Sequence, residues 1–80
     1  MNAYNFYCPA IDMEKTGQNI KRLRTRSGMS VRELQDRFGF TTPQSIYKWQ
    51  WGQCLPDIEN LLYLARLWDV SIEDILVVRE

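Results

Sequence analysis

The chain has 80 residues, of which 45% are apolar, and its ten basic residues balance ten acidic residues to give a net charge of zero. This length supports a single domain with a modest core. The sequence has no histidine, no glycine-rich phosphate loop and only two cysteines, Cys8 and Cys54, which lie far apart. These absences argue against a zinc site and against most nucleophilic catalysis, so we expect neither an enzyme nor a cofactor.

The sequence also lacks signals for membrane insertion or export. No apolar run approaches the roughly 18 residues of a membrane span, and no basic segment followed by an apolar one stands at the N-terminus. We therefore expect a reduced, cytoplasmic protein with no membrane partner.

Residues 1–14 differ in character from the rest of the chain. Pro9 interrupts any helix and no regular apolar period is present, so we predict an arm without helix or strand. Residues 15–80 are expected to form the domain. Because the arm carries no positive charge before Lys15, its aromatic side chains are expected to pack over the domain or over a second subunit. These aromatic residues are Tyr4, Phe6 and Tyr7.

The first helix is predicted to begin after Thr16 and to end near Ser27. Ile20 and Leu23 are spaced to face the core. Gly28 is expected to adopt the left-handed conformation that ends many helices.

A second, short helix is predicted from its capping box, in which Ser30 and Glu33 each satisfy the other's backbone N–H group. Leu34 and Phe38 provide its buried stripe, and Gly39 ends it.

The third helix is predicted over about residues 43–51, with Thr42 as its N-cap and Pro43 at its first helical position. Ile46 and Trp49 recur at helical spacing and form its inward face. Two short helices joined by a tight turn that contains glycine make the unit that places one helix in the major groove of DNA. We therefore interpret the third helix as a recognition helix.

Two further helices complete an all-α, five-helix reading of the chain. Asp57 introduces the fourth helix, which is the most apolar and is expected to be the best buried, and Ser71 with Asp74 repeats the capping-box spacing at the fifth. No strand is predicted, although residues 76–78 are β-prone. The residues expected to be buried in these two helices are Ile58, Leu61, Leu62, Leu64, Ala65, Leu67, Trp68, Ile72, Ile75 and Leu76.

Charge is distributed unevenly along the chain. The segment from Lys15 to Lys48 carries eight basic and two acidic residues, a net charge of +6, and the remainder carries −6. A layout of this kind can hold one face against a polyanion while the opposite face stays in solvent. The alternative is a solvated basic surface that binds nothing.

From Gly17 to about Leu76 the chain resembles the XRE family, the Cro and phage-repressor type of helix-turn-helix domain. This resemblance implies a compact five-helix domain that binds operator DNA as a homodimer and acts as a transcriptional regulator, here a repressor. Because the sequence shows no separate ligand domain, we also expect no small-molecule ligand. The matching residues are Ile20, Leu23-Arg24, Gly28-Met29-Ser30, Glu33-Leu34, Phe38-Gly39, Ile46, Trp49, Gly52, Leu55-Pro56, Asn60-Leu61, Leu64-Ala65, Leu67 and Val70-Ser71.

Alignment on Ile46 with the family places the base-reading positions on Pro43, Gln44 and Lys48, with Thr42 and Ser45 beside them. The amide of Gln44 can pair with adenine N6 and N7, and Lys48 can reach guanine O6 and N7 or a phosphate. Pro43 can offer only ring contact.

A second set of residues is expected to contact phosphates. For Tyr47 the alternatives are a phosphate contact and packing on the protein surface. For Trp51 the alternatives are donation of a hydrogen bond to a phosphate and covering of Trp49, and the packing role is favoured. The candidates are Lys21, Arg22, Arg24, Arg32, Tyr47 and Trp51.

The sequence departs from the family pattern at four places. The turn between Gly39 and Ile46 holds six residues where the family commonly has five. Gln35 stands where alanine is common. We expect the longer turn to make room for the larger side chain of Gln35. Val31 replaces a glutamine that often contacts phosphate. Gln50 replaces a glutamate, which is expected to leave Arg24 with a neutral partner and freer to reach a phosphate.

Sequence-specific binding of double-stranded DNA is therefore the favoured function. The alternative is a protein-interaction module, such as an antitoxin or an adaptor, that uses the same fold. DNA is favoured because the basic residues coincide with the helix-turn-helix.

Overall fold

The computed structural model describes residues 10–79 and confirms the predicted all-α, five-helix fold, with a small two-stranded sheet added. Within that range no helix is long and apolar enough to cross a membrane. In chain order the elements are β1 (Ala10–Ile11), α1 (Met13–Arg26), α2 (Val31–Phe38), α3 (Gln44–Gln50), α4 (Ile58–Trp68), α5 (Ile72–Ile75) and β2 (Val78–Arg79).

The predicted start of α1 was wrong, because the helix begins before Thr16, at Met13. Asp12 is its N-cap and accepts a hydrogen bond from the backbone N–H of Lys15 at 2.9 Å. An aspartate at this position satisfies one of the N–H groups that the first turn leaves without a helical partner. Residues 10–14, which the sequence placed in the arm, thus contribute β1 and the first turn of α1.

The prediction that the chain has no strand was also wrong. β1 pairs with β2 in antiparallel fashion, with Ala10 opposite Arg79 and Ile11 opposite Val78. The backbone N–H of Asp12 extends the ladder by donating to the carbonyl of Val77 at 2.7 Å. Two-residue strands from opposite ends of the chain have no local sequence pattern, so only the tertiary structure shows them.

Local end signals fix α2 and α5 as predicted. Both capping boxes form, Ser30 with Glu33 at α2 and Ser71 with Asp74 at α5. Gly39 ends α2 in the left-handed region at φ 71°. These caps satisfy backbone groups that would otherwise lack partners at the helix ends.

All five helices contribute to the core, which differs from the prediction on α4. Ile58 and Leu62 were expected to be buried but are 75% and 46% exposed, because α4 turns only one face inward. Trp68 is 6% exposed, so its indole belongs to the core and is not free for an interface. The buried apolar residues are Ile20, Leu23, Leu34, Ile46, Trp49, Leu61, Leu64, Ala65, Trp68 and Ile75.

α1 and α3 approach each other most closely at Gly17. A Cβ atom at this position would lie 2.6 Å from the carbonyl oxygens of both Trp49 and Gln50. Since both neighbours are backbone atoms, neither can move aside by changing rotamer. The missing side chain of Gly17 therefore sets the distance between the two helices.

Gly17→Ala is expected to lower the free energy of unfolding by about 1 to 3 kcal/mol, the usual cost of overpacking. Helix propensity alone predicts a gain of about 1 kcal/mol for the same change. Urea denaturation distinguishes the two, with Gln18→Ala, at an exposed neighbouring position of α1, as the control. A stabilised Gly17→Ala variant would contradict the close approach described above.

The two capping boxes predict how stability depends on pH. The hydrogen bond from the backbone N–H of Ser30 lowers the pKa of Glu33, and that of Ser71 lowers the pKa of Asp74. A carboxyl with a lowered pKa stabilises the fold above its unfolded-state pKa, and this contribution is lost as the pH falls through the folded-state pKa.

We therefore expect the free energy of unfolding to fall between neutral pH and about pH 3, and Glu33→Gln with Asp74→Asn to weaken that dependence. Denaturation at a series of pH values measures it. An identical pH profile for the double variant would show that the two caps do not contribute.

Candidate nucleic-acid interface

The solvent-facing side of α3 brings together four of the predicted site residues. Gln44, Lys48 and Trp51 lie within about 60° of one another around the helix axis, and Tyr47 borders them. Gln44, Lys48 and Trp51 are exposed and Tyr47 is half-buried. We call these four residues the α3 face.

The opposite side of α3 is anchored in the core. Ile46 is fully buried and Trp49 is 4% exposed, which confirms the predicted inward pair. Side chains on opposite sides of a helix point in opposite directions, so burial of Ile46 and Trp49 makes the α3 face point towards solvent. The α3 face thus has a fixed direction towards solvent.

Tyr47 and Trp51 form a stacked aromatic pair on the α3 face. Their ring centroids are 5.6 Å apart with an interplanar angle of 20°. Of the two roles left open for Trp51, the favoured one was to cover Trp49, but Trp51 packs on Tyr47 and stays 61% exposed. Residues four apart on a helix are neighbours, which explains this pairing.

An aromatic cluster that sequence reasoning did not identify holds α3 against α2 and α4. The ring of Phe38 stacks on that of Phe40, with the ring centroids 4.9 Å apart. It makes T-shaped contacts with Trp49 and Tyr63, at centroid distances of 5.5 and 4.9 Å. Phe40 also contacts Trp49, at 6.0 Å. The nearest signal in the sequence was the aromatic residue on each side of Gly39.

The start of α3 differs from the prediction by one residue. Pro43 is the N-cap rather than the first helical residue, and α3 begins at Gln44. Thr42 is not the N-cap, although its hydroxyl accepts from the N–H of Gln44 at 3.4 Å. Thr42 and Pro43 therefore lie in the turn ahead of the helix. Ser45 is exposed but lies about 100° around the axis from Gln44.

Gln35 ties the longer turn to α2. Its side-chain amide donates to the carbonyl of Phe40, the first residue of the turn, at 3.2 Å. The bond shows that Gln35 contacts the turn, and the expectation that the extra residue makes room for Gln35 stays a prediction. The bond links the path of the turn to the body of α2 and thereby positions the beginning of α3.

Arg24 has the neutral partner that the sequence indicated, but it is not free. Its Nε donates to Oε1 of Gln50 at 2.8 Å and its Nη1 donates to the carbonyl of Met29 at 2.7 Å. The expectation that Arg24 would be freer to reach a phosphate is therefore corrected. Two of its donors instead connect α1 to the end of α3 and to the segment before α2.

The remaining basic candidates lie on different sides of the domain. Lys21 is about 40° around α1 from Gly17, on the side next to α3, whereas Arg22 is about 140° away. Arg22 donates through Nε and Nη2 to Oδ1 of Asn19, at 3.1 and 2.7 Å. Arg32 forms an exposed ion pair with Asp36, in which Nε lies 3.5 Å from Oδ1. An exposed pair contributes little free energy, so Arg32 can exchange Asp36 for another anion at little cost.

The fold is similar to two solved structures, the structure of the S. venezulae BldD DNA-binding domain and the crystal structure of the DNA-binding domain of BldD. Each has a TM-score of 0.67 and 17% sequence identity, and each match covers 81% of this chain and 96% or 93% of the other. No protein-family model and no curated protein matches the sequence. The likeness shows that the chain has the fold of a helix-turn-helix DNA-binding domain.

Gln35→Ala is expected to lower the free energy of unfolding by about 1 kcal/mol, because it removes the hydrogen bond to Phe40. Gln35→Glu should lower it further, since a carboxylate of the same shape has no proton to donate to that carbonyl. Urea denaturation of the two variants tests both statements. Equal stability of Gln35→Glu and the parent chain would show that the bond does not hold the turn.

Proposed function

We propose that the protein binds double-stranded DNA in a sequence-specific manner, as a small transcriptional regulator of the XRE type that represses its target. It acts by binding alone, without catalysis. The observation that carries this proposal is the α3 face, where amide, ammonium and aromatic groups project from a helix whose other side is anchored in the core. Both similar structures are DNA-binding domains, which supports the same class of ligand here.

The chemistry of the α3 face suits the edges of bases. Gln44 stands at the first turn of α3, where recognition helices contact bases, and its amide offers a donor and an acceptor to adenine. Lys48, one turn further on, offers ammonium protons to guanine or to a phosphate. Thr42, Pro43 and Ser45 flank this pair and have weaker reading chemistry.

Phosphate contacts are assigned to Lys21 and Arg32 and to two residues of the α3 face itself. Lys21 lies on the α3 side of α1, and Arg32 can leave its exposed pair with Asp36 for a phosphate. The hydroxyl of Tyr47 and the indole N–H of Trp51 are further donors. Contacts of this kind fix the orientation of a protein on DNA without reading its sequence.

We further propose that the protein binds its operator as a homodimer, because one short recognition helix reads few base pairs. Trp68 lies in the core, as expected from the sequence, and so cannot form the dimer interface. Exposed apolar groups are present instead at Ile58 and Leu62 on α4 and at Val78 on β2. A two-fold dimer predicts an inverted repeat in the bound sequence.

The same exposed residues on α4 favour the second candidate function, a protein-interaction module. Ile58 and Leu62 are 75% and 46% exposed, and Tyr63 is 38% exposed beside them. Apolar side chains grouped on one helix suit a protein partner. This module would need neither Gln44 nor Lys48.

Selection of bound duplexes from a random DNA library tests the proposed function against this alternative. We expect enrichment of one motif with inverted symmetry. Failure to enrich any motif would favour the interaction module, and a motif without symmetry would remove the dimer.

Affinity for the selected duplex is expected to fall steeply with salt. With about four to six phosphates neutralised, the slope of log affinity against log salt should be roughly −4 to −5. Fluorescence titration between low and moderate salt measures it. A slope near zero would rule out a surface that binds through phosphates.

Gln44→Ala and Lys21→Ala are expected to act differently. Loss of a base contact should cost about 1 to 3 kcal/mol on the preferred site and relax the preference at one base pair, whereas loss of a phosphate contact should weaken all sequences alike. Binding measured on a panel of single-base variants separates the two patterns. An unchanged preference in Gln44→Ala would mean that Gln44 does not read a base.

A further inference from the structure

The outer face of α1 carries a second basic surface that the α3 face does not include. Lys15, Arg22 and Arg26 are all exposed. With 3.6 residues per turn, they lie about 140° to 180° around the helix axis from Gly17, the residue that contacts α3. We call these three residues the α1 stripe. The α1 stripe therefore points away from α3.

Within residues 10–79 no residue of the α1 stripe forms an ion pair, and the ion pair that is present joins Arg32 to Asp36. Opposite charges at positions four apart stabilise a solvent-exposed helix surface. Here Arg22 and Arg26 stand four apart with like charge, which opposes helix formation. An anion bound between them would remove that repulsion.

Arg22 is held in place by bonds that leave its outer edge open. Asn19 accepts from Nε and Nη2 of Arg22 and itself donates to the carbonyls of Asp74 and Ile75, at 2.8 and 2.9 Å. Two of the five guanidinium protons are thus used, and those along the Nη1–Nη2 edge suit a bidentate oxyanion. Lys15 and Arg22 line one groove of about 330 Å³ together with Val77.

We propose that the α1 stripe binds the phosphate backbone of a second DNA segment, so that one domain joins two duplexes. Along α1 the three Cα atoms are separated by about 10 Å and 6 Å, which lies within reach of the two strands that border a DNA groove. The stripe has no apolar side chain of its own to form the centre of a protein interface, and this favours a phosphate backbone over a protein. The inference rests on the proposed function, because the first duplex is the one bound by the α3 face.

Co-capture of two duplexes tests this proposal. A duplex with the selected motif is immobilised, the protein is added at physiological salt, and retention of a labelled duplex of scrambled sequence is measured. Wild type should retain it, and Lys15→Gln with Arg26→Gln should lower retention about ten-fold, a modest cost for two charge-assisted contacts. Affinity for the immobilised motif should stay within about two-fold, since salt screens distant charges.

Two further variants serve as controls. Arg66→Glu, on an exposed position of α4, changes the net charge by the same two units and should retain the labelled duplex like wild type. Arg22→Lys keeps the charge but loses the fork that Asn19 holds, so it should weaken retention. Thermal unfolding followed by circular dichroism checks that every variant is folded.

The outcomes separate this inference from the proposed function. If wild type binds the motif but retains no second duplex, the α1 stripe does not bind DNA and the proposed function stands. If the double variant retains as much as wild type, two recognition helices of a dimer join the duplexes and the inference is overturned. If wild type does not prefer the motif, the proposed function itself fails.

Discussion

The contact between the backbones of α1 and α3 is the constraint on which the rest of the structure depends. At Gly17 the two helices are so close that a methyl group would lie 2.6 Å from two carbonyl oxygens. Gly52 allows a second close approach, since its own Cβ would lie 2.9 Å from the carbonyl of Met13 and its φ is +75°. Both close approaches are made to backbone atoms, which cannot move aside as side chains can. The C-terminal end of α3 is therefore fixed in position relative to α1.

Side-chain hydrogen bonds and packing hold α3 in addition to the backbone contact. Arg24 joins Gln50 and the carbonyl of Met29, so α1 also fixes the segment that leads into α2. At the other end of the unit, Gln35 holds the turn through Phe40, and the ring of Phe40 packs on Trp49. The start and the end of α3 are therefore held by different elements. A helix of seven residues, too short to be stable alone, gains a defined orientation in this way.

Features with local signals could be predicted from the sequence, and features that depend on distant parts of the chain could not. The capping boxes at Ser30 and Ser71 and the inward pair of Ile46 and Trp49 involve residues at most four apart. By contrast, β1 needs a partner 67 or more residues away, at Val78 and Arg79.

The same reason explains the outcome at the candidate site. Helical spacing places Gln44 and Lys48 on one face without any knowledge of the fold. Whether Arg24 is free depends on Met29 and Gln50 in three dimensions, and the position of Thr42 depends on a turn whose extra residue no local rule assigns. The aromatic contacts of Tyr63 likewise join helices that are distant in sequence.

The central claim is that the anchored helix α3 reads DNA with its outer face. The most direct measurement is the NMR shift of the side-chain amide groups of glutamine when the selected duplex is added to ¹⁵N-labelled protein. The account predicts a large shift and contacts to a base for Gln44, while the amides of Gln35 and Gln50 keep their positions because they bond within the protein. A Gln44 amide that does not respond to a duplex bound with high affinity would contradict the account.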